Sequence, residues 1–376
     1  MNLGNCTREC RRFSSSLVPE AVLYEPLAKL LGGGSIIEMR KFIHTYDDII
    51  SIENLLCAWQ EFERGKKKKS DVMEYKRHLM TNIINLHHDL QARTYTHGAY
   101  YHFIICDPKR RDIHKASVRD RLLHHAIYRK LYPFFDTTFI ADSYSCRDNK
   151  GTHRALRRFD TFARKVGRNH TRTVWVLKCD IRKFFASVDH VILLQILRQR
   201  IQDVDIIKLL ENVVGSFHSD STLNLDSRLH GNDTLQGLPL GNLTSQLLVN
   251  IYMNEFDQYV KDHLKVKYYI RYADDFVFMS HKKEGLEVIR EKSEAFLTSR
   301  LQLSLHSNKV FLTTLASGVD FLGWVHFPHH KVLRTVTKRR MMRKMEKRNV
   351  ASYVGLLSHG NAWRLQEEII NMLTLV

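Results

Sequence analysis

Asp274 and Asp275 stand side by side between two apolar, β-prone runs, Tyr268-Tyr269-Ile270-Arg271-Tyr272 and Phe276-Val277-Phe278-Met279. Carboxylates are poor strand formers and adjacent ones repel, so a pair placed here carries a local cost. A solvated turn would tolerate it, but the flanks are apolar enough to be buried core. Ala273, Asp274 and Asp275 then form the tip of a hairpin. A third isolated carboxylate, Asp180, closes another β-prone run, Val174-Trp175-Val176-Leu177. Three carboxylates at two strand tips can converge on two Mg²⁺ ions, which prefer oxygen ligands in near-octahedral geometry. Two metals about 3.5–4 Å apart would activate an attacking 3′-hydroxyl and steady a leaving pyrophosphate. Nucleases use similar carboxylate sets, so metal binding alone does not name the reaction.

The elements that must present these acids are readable from periodicity. Thr173 to Leu177 reads as a buried strand delivering Lys178-Cys179-Asp180. Helical spacing runs from Tyr46 to Leu90, interrupted by Gly65 and Lys66 to Lys69, and again from Val191 to Val214. Ala99 to Cys106 alternates like a strand. Val118, Leu122, Leu123, Ala126, Ile127 and Leu131 share a helix face that Pro133 is expected to end. Thr244 can cap a helix whose apolar face is Leu247, Leu248, Ile251, Phe256 and Val260. The segment from Lys331 to Val350 holds nine Lys or Arg in twenty residues at helical spacing. Residues 1–38 read as a flexible tail, and Gly215 to Gln236 as a surface insertion or long hairpin.

The 376 residues, 44% of them apolar, suffice for two or three domains. Fifty-eight Lys and Arg against 40 Asp and Glu leave a net charge of +18, which favours polyanionic partners. Aromatics at 10% and only 6 prolines argue against disorder. No apolar run approaches the ~20 residues of a membrane helix, and no signal-peptide core opens the chain. The expectation is a soluble, cytoplasmic protein with no membrane partner. The six cysteines form no C-x-x-C pair, so reduced, ordinary thiols are expected.

Tyr272-Ala273-Asp274-Asp275 resembles the Y-x-D-D signature of reverse transcriptases. Lys178-Cys179-Asp180-Ile181-Arg182-Lys183-Phe184-Phe185-Ala186-Ser187-Val188-Asp189-His190 is similar to that family's block holding the first metal-binding Asp. The family's seven blocks can be followed in order over roughly Tyr101 to Phe327, and the ordered set is far more specific than the tetrapeptide. The resemblance implies an α+β right-hand polymerase: fingers, a palm with an antiparallel sheet, and a short helical thumb. On that plan residues 39–172 would hold the N-terminal helices and fingers, 173–330 the palm, and 331–376 the thumb. It also implies an RNA-directed DNA polymerase using deoxynucleoside triphosphates, template RNA and two Mg²⁺ ions, with Mn²⁺ as a substitute.

Carried over by position, Asp180 and Asp274 would ligate both metals, Asp275 would assist, and the carbonyl of Ile181 would complete the shell. Phe185 matches the position of an aromatic against the sugar 2′ carbon, where a ring excludes a 2′-hydroxyl. Lys109 and Arg111 would grip the triphosphate, Arg through paired hydrogen bonds and Lys as a point charge. Lys309, in the sixth block, would approach the nucleotide phosphates. Arg147 and Lys150, in the second block, would face template or nucleotide. Val319-Asp320-Phe321-Leu322-Gly323-Trp324 resembles the primer-grip turn, with Gly323 allowing close backbone approach and Trp324 beside the nucleic acid. Lys338, Arg339 and Arg343 would lie along the template–primer backbone from the thumb helix.

The fourth block, Gly237-Leu238-Pro239-Leu240-Gly241-Asn242-Leu243-Thr244-Ser245-Gln246, departs from the common pattern. Leu240 stands where most retroviral and intron polymerases carry Gln, and Ser245-Gln246 where they carry Ser-Pro. Leu240, Gly241 and Gln246 would still border the nucleotide. This form is typical of the reverse transcriptases of diversity-generating retroelements, and Ser143 to His153 resembles that group too. The resemblance implies error-prone copying of a specific structured RNA and a small basic helical oligomeric accessory protein. Antiphage-defence and retron or intron-type bacterial reverse transcriptases are the alternatives. Only about 50 residues follow the primer-grip block, leaving no obvious space for a maturase's added domain.

Overall fold

The computed structural model describes residues 40–106, 109–217 and 235–374. The expected tail at 1–38, and the 218–234 stretch of the expected insertion, lie outside the described residues. No helix among the described residues is long and apolar enough to cross a membrane.

The helical spacing before residue 91 resolves into α1 (Tyr46–Ile50), α2 (Ile52–Glu63), α3 (Ser70–Arg77) and α4 (Leu79–Gln91). An antiparallel hairpin follows, β1 (Tyr101–Ile105) with β2 (Arg111–Lys115), and then α5 (Val118–Asp136). Leu55, Ala58 and Phe62 of α2 are buried, as are Leu122, Leu123 and Ala126 of α5, and the two helices pack together. Helix α5 does not stop at Pro133 as expected; it runs on to Asp136. A proline in the last turn removes one backbone donor, and buried Leu131, Tyr132 and Phe135 on either side hold that turn in place.

After α6 (Thr152–Val166) comes the central sheet, with strand order β4-β5-β3-β6, every neighbour antiparallel. Its strands are β3 (Trp175–Asp180), β4 (Tyr269–Tyr272), β5 (Asp275–Ser280) and β6 (Phe311–Thr314). Strand β3 lies further along the chain than the expected 173–177, so Lys178 and Asp180 are themselves ladder residues. The segment between β3 and β4 forms α7 (His190–Arg200), α8 (Val204–Gly215) and α9 (Leu243–Gln258). Helix α9 starts one residue before Thr244, with Asn242 rather than Thr244 at the N-cap, because Thr244 is itself buried in the first turn. Helix α10 (Lys283–Leu301) packs on β3 and β5, and α6 on β4 and β5.

A separate sheet joins β7 (Val319–Phe321), β8 (Trp324–His326) and β9 (Lys331–Leu333), all antiparallel. The basic segment expected as one helix therefore begins as a strand, because Lys331 to Leu333 pair with β8. This sheet straddles residue 330. The rest forms α11 (Thr335–Arg343), α12 (Val350–Leu357) and α13 (Trp363–Thr374). One apolar cluster unites α6, both sheets and these last helices, including Phe159, Val277, Phe321, Trp324, Leu357 and Ile369. A Cβ at Gly360 would lie 2.1 Å from the Trp324 ring, so only glycine allows that approach.

Candidate active site

Asp180 ends β3 directly opposite Asp275, the first residue of β5, and Asp275 also faces Tyr272 across β4. The hairpin tip is thus reduced to Ala273 and Asp274, with Ala273 in the left-handed region at φ 56°. The backbone around the tip is clamped: the Ile181 N–H donates to the Asp274 carbonyl (3.3 Å) and the His306 N–H to the Asp180 carbonyl (2.8 Å). Each opposed carboxylate meets its own lysine. Lys309 Nζ donates to Asp180 Oδ1 at 2.8 Å, and Lys178 Nζ lies 3.4 Å from Asp275 Oδ2.

Burial raises the Asp274 carboxyl above its ordinary pKa, and the Asp180 charge adds to it, while Lys309 and Lys109 oppose. Burial pushes Asp275 up to about 7, with Asp274 and Asp180 adding and Lys178 opposing. Asp275 Oδ1 is buried without a hydrogen-bond partner. Among the described residues, no three His, Cys, Asp or Glu side chains are arranged to hold a metal ion by themselves. The donor set nevertheless fits a divalent cation chemically. It offers oxygen ligands only, two of the three carboxyls are held against ionisation, and one buried oxygen is unmatched.

Several of the expected nucleotide residues are tied to one another or to the β1–β2 hairpin. Phe185 is half-buried in a 3₁₀ turn, edge-on to Phe184 at 5.7 Å, and its carbonyl accepts from the Leu238 N–H at 2.7 Å. The Leu240 carbonyl accepts from the His114 N–H on β2 (3.2 Å), tying this loop to the hairpin. Gly241 has φ 110°, and a Cβ there would lie 3.1 Å from Ile113. Gln246 lies on the hairpin side, lining a cavity of about 380 Å³ with Lys66, Phe103, Lys115 and Arg121. Lys109 and Arg111 are exposed on the hairpin, and the charge of Lys109 reaches Asp274.

Other expectations change. Arg147 does not face a template: its side chain is 5% exposed, and its guanidinium is spent on Asp136 (2.6 Å) and the carbonyls of Ile140, Ser143 and Asp136. Lys150 donates to the Ala141 carbonyl at 2.7 Å and covers the Tyr144 ring. Trp324, expected beside the nucleic acid, is a core side chain, 2% exposed. Gly323, by contrast, sits in a left-handed turn with Leu322 (φ 87° and 50°). Lys338, Arg339 and Arg343 are exposed on α11.

The periodicity passed over a fully buried ion pair. The Arg271 guanidinium meets both oxygens of Asp257 on α9 at 2.7–3.0 Å, and its Nη1 donates to the Ala273 carbonyl and to Asn250 Oδ1, each at 3.2 Å. The signal was an arginine inside a run otherwise fit for core, which requires a partner.

Residues 107–326 match the family model for reverse transcriptase (RNA-dependent DNA polymerase). Protein YkfC of Escherichia coli (strain K12) is 28% identical over 259 residues, covering 60% of this chain and 64% of YkfC. The group II intron-encoded protein LtrA of Lactococcus lactis subsp. cremoris is 23% identical over 312 residues, covering 66% of this chain and 49% of LtrA. The chain thus spans about half to just under two thirds of these relatives' own length. Among solved structures, the apo telomerase from Candida Tropicalis truncated from its C-terminal domain aligns with TM-score 0.45 and 11% identity, covering 68% of this chain and 60% of that one. The matched segment takes in more than half of the chain, with both strand tips and the turn between β7 and β8 inside it, and the chain belongs to the reverse transcriptase family.

Proposed function

We propose that the protein is an RNA-directed DNA polymerase: the primer 3′-hydroxyl attacks the α-phosphorus of a deoxynucleoside triphosphate, a new phosphodiester forms, and pyrophosphate leaves. The observation that carries this is the register placing Asp180 opposite Asp275 with Asp274 in the adjoining turn, inside a segment of this family.

Asp180 and Asp274 would hold two Mg²⁺ or Mn²⁺ ions, helped by the Ile181 carbonyl and by Asp275. When bound, these ions neutralise charge on the attacking hydroxyl and the leaving pyrophosphate. Lys109 and Arg111 bind the triphosphate from the hairpin. Lys309, which donates to Asp180, binds the nucleotide phosphates on this reading. Phe185 excludes a 2′-hydroxyl, selecting deoxynucleotides. Gly323 supports the primer end, and Lys338, Arg339 and Arg343 bind the duplex backbone. Asp274→Asn tests the assignment: cDNA synthesis is lost while RNA binding is retained, and retained synthesis refutes it.

The biological setting we infer is a diversity-generating retroelement, in which the enzyme copies one structured RNA with errors and works with a small basic helical oligomeric accessory protein. Leu240 and the Ser245-Gln246 ending support it. The similarity to a group II intron-encoded protein favours an intron-type enzyme as the second reading. Sequencing the RNA that copurifies, with the DNA made from it, separates them: a template repeat supports the first, an intron the second.

A further inference from the structure

We propose that Lys178 is a positioning residue that joins the catalytic carboxylates to the primer-grip turn, with Arg334 continuing the link to α11. The inference rests on the polymerase reading and adds to it how the primer end is held in line with the acids.

Lys178 lies inside a central strand between Leu177 and Cys179, which are both fully buried. A lysine there is costly unless its ammonium is matched. Side chains two residues apart share a sheet face, so Lys178 points to the same side as Asp180 and, diagonally, as Asp275. Its Nζ is 3.4 Å from Asp275 Oδ2 and donates to the Asp320 carbonyl at 2.8 Å. Asp320 belongs to β7, and among the described residues no ladder joins that sheet to the one holding β3. The Lys178 ammonium therefore bridges the two sheets.

The polar path continues beyond β7. The Asp320 carboxylate receives the Arg334 guanidinium at 2.5 Å, and the Arg334 N–H donates to the Gly323 carbonyl at 3.0 Å. Arg334 is the N-cap residue of α11. One continuous run of side chains and backbone thus leads from Asp275 through Lys178, Asp320 and Arg334 to the turn at Gly323. An ammonium carries three N–H donors, so burial alone calls for acceptors but does not decide where they come from. Lys178 reaches one on each side, and both sides belong to the machinery that must be aligned. Displacing a reacting end by about 1 Å costs on the order of a hundredfold in rate.

The test is primer extension on an RNA template, with Lys178→Met, Lys178→Arg, Arg334→Met and Lys178→Met/Arg334→Met beside the wild type. Thermal melts are recorded for each. The expected result is a fall in kcat of about tenfold or more for Lys178→Met, with the nucleotide KM within about twofold. Lys178→Arg restores part of it, and the double variant is no slower than Lys178→Met, since coupled residues are non-additive. An unchanged kcat, a loss that tracks the melting temperature, or additive effects would each overturn the proposal. If Lys178→Met does not fold, half-exposed Arg334→Met decides: lowered kcat with an unshifted melt supports the link, and wild-type kcat overturns it. A wild type that makes no DNA sinks the polymerase reading, and this inference with it.

Discussion

Asp180 and Asp275 oppose each other at the end of the β3–β5 ladder, and each is matched by a lysine from a different part of the chain, Lys309 and Lys178. Two carboxylates in register with a third in the turn are a strained arrangement for a protein without bound cations. Its cost is the basis of the first two predictions.

Removing one charge relieves the repulsion. Asp274→Asn is expected to raise the melting temperature of the metal-free protein by about 2–4 °C, the shift that goes with about 1 kcal/mol in a domain of 150–250 residues, while abolishing synthesis. The motivation is the Asp274 carboxyl, raised by burial and by Asp180. A melt in chelator that is unchanged or lowered would contradict it.

The pH dependence follows from Asp275, pushed up to about 7 by burial and by its acidic neighbours, against about 3.9 in an unfolded chain. A carboxyl whose folded pKa is raised stabilises the fold fully below the unfolded value. That contribution is lost as pH climbs through about 7. Metal-free stability is therefore expected to decline between about pH 4 and 7, less so in Asp275→Asn, and Mg²⁺ is expected to restore it at pH 8. Denaturant titrations across that window decide it, and identical slopes for wild type and variant would count against the assignment.

Arg271 and Asp257 are both fully buried, so breaking the pair leaves an uncompensated charge. Arg271→Met is expected to cost about 3–5 kcal/mol, measured by chemical denaturation. A loss under about 1 kcal/mol would mean that the pair does not hold the Ala273 turn to α9.

Phe185 is half-buried in the 3₁₀ turn just after Asp180, with its backbone pinned to Leu238. Phe185→Ala is expected to raise ribonucleotide use relative to deoxynucleotide use by at least about tenfold. Competition between the two nucleotide pools measures it, and an unaltered ratio removes Phe185 from the sugar pocket.

Leu240 is tied to β2 through its backbone, so its side chain can change without loss of the loop. Leu240→Gln, which supplies an amide where the protein has none, is expected to lower misincorporation opposite template adenine about tenfold or less, within the range of one added hydrogen bond. Deep sequencing of products from a defined template reads this directly; equal error spectra would remove Leu240 from fidelity control.

The acids, their strands and the hairpin were legible from residue types alone, since continuous apolar, β-prone runs with charged tips depend only on near neighbours. The helix faces of α5 and α9 were legible for the same reason. What a charged side chain does was decided by tertiary contact. Arg147 became an internal staple and Trp324 a core residue pressed on Gly360. Lys331 to Leu333 became a strand because β8 offered an edge. Lys178 finds its acceptor in a residue 142 positions away, Asp320. Local pattern carries information only over a turn or two of chain, and the matching of a buried charge is set by whichever distant backbone the fold brings within about 3 Å.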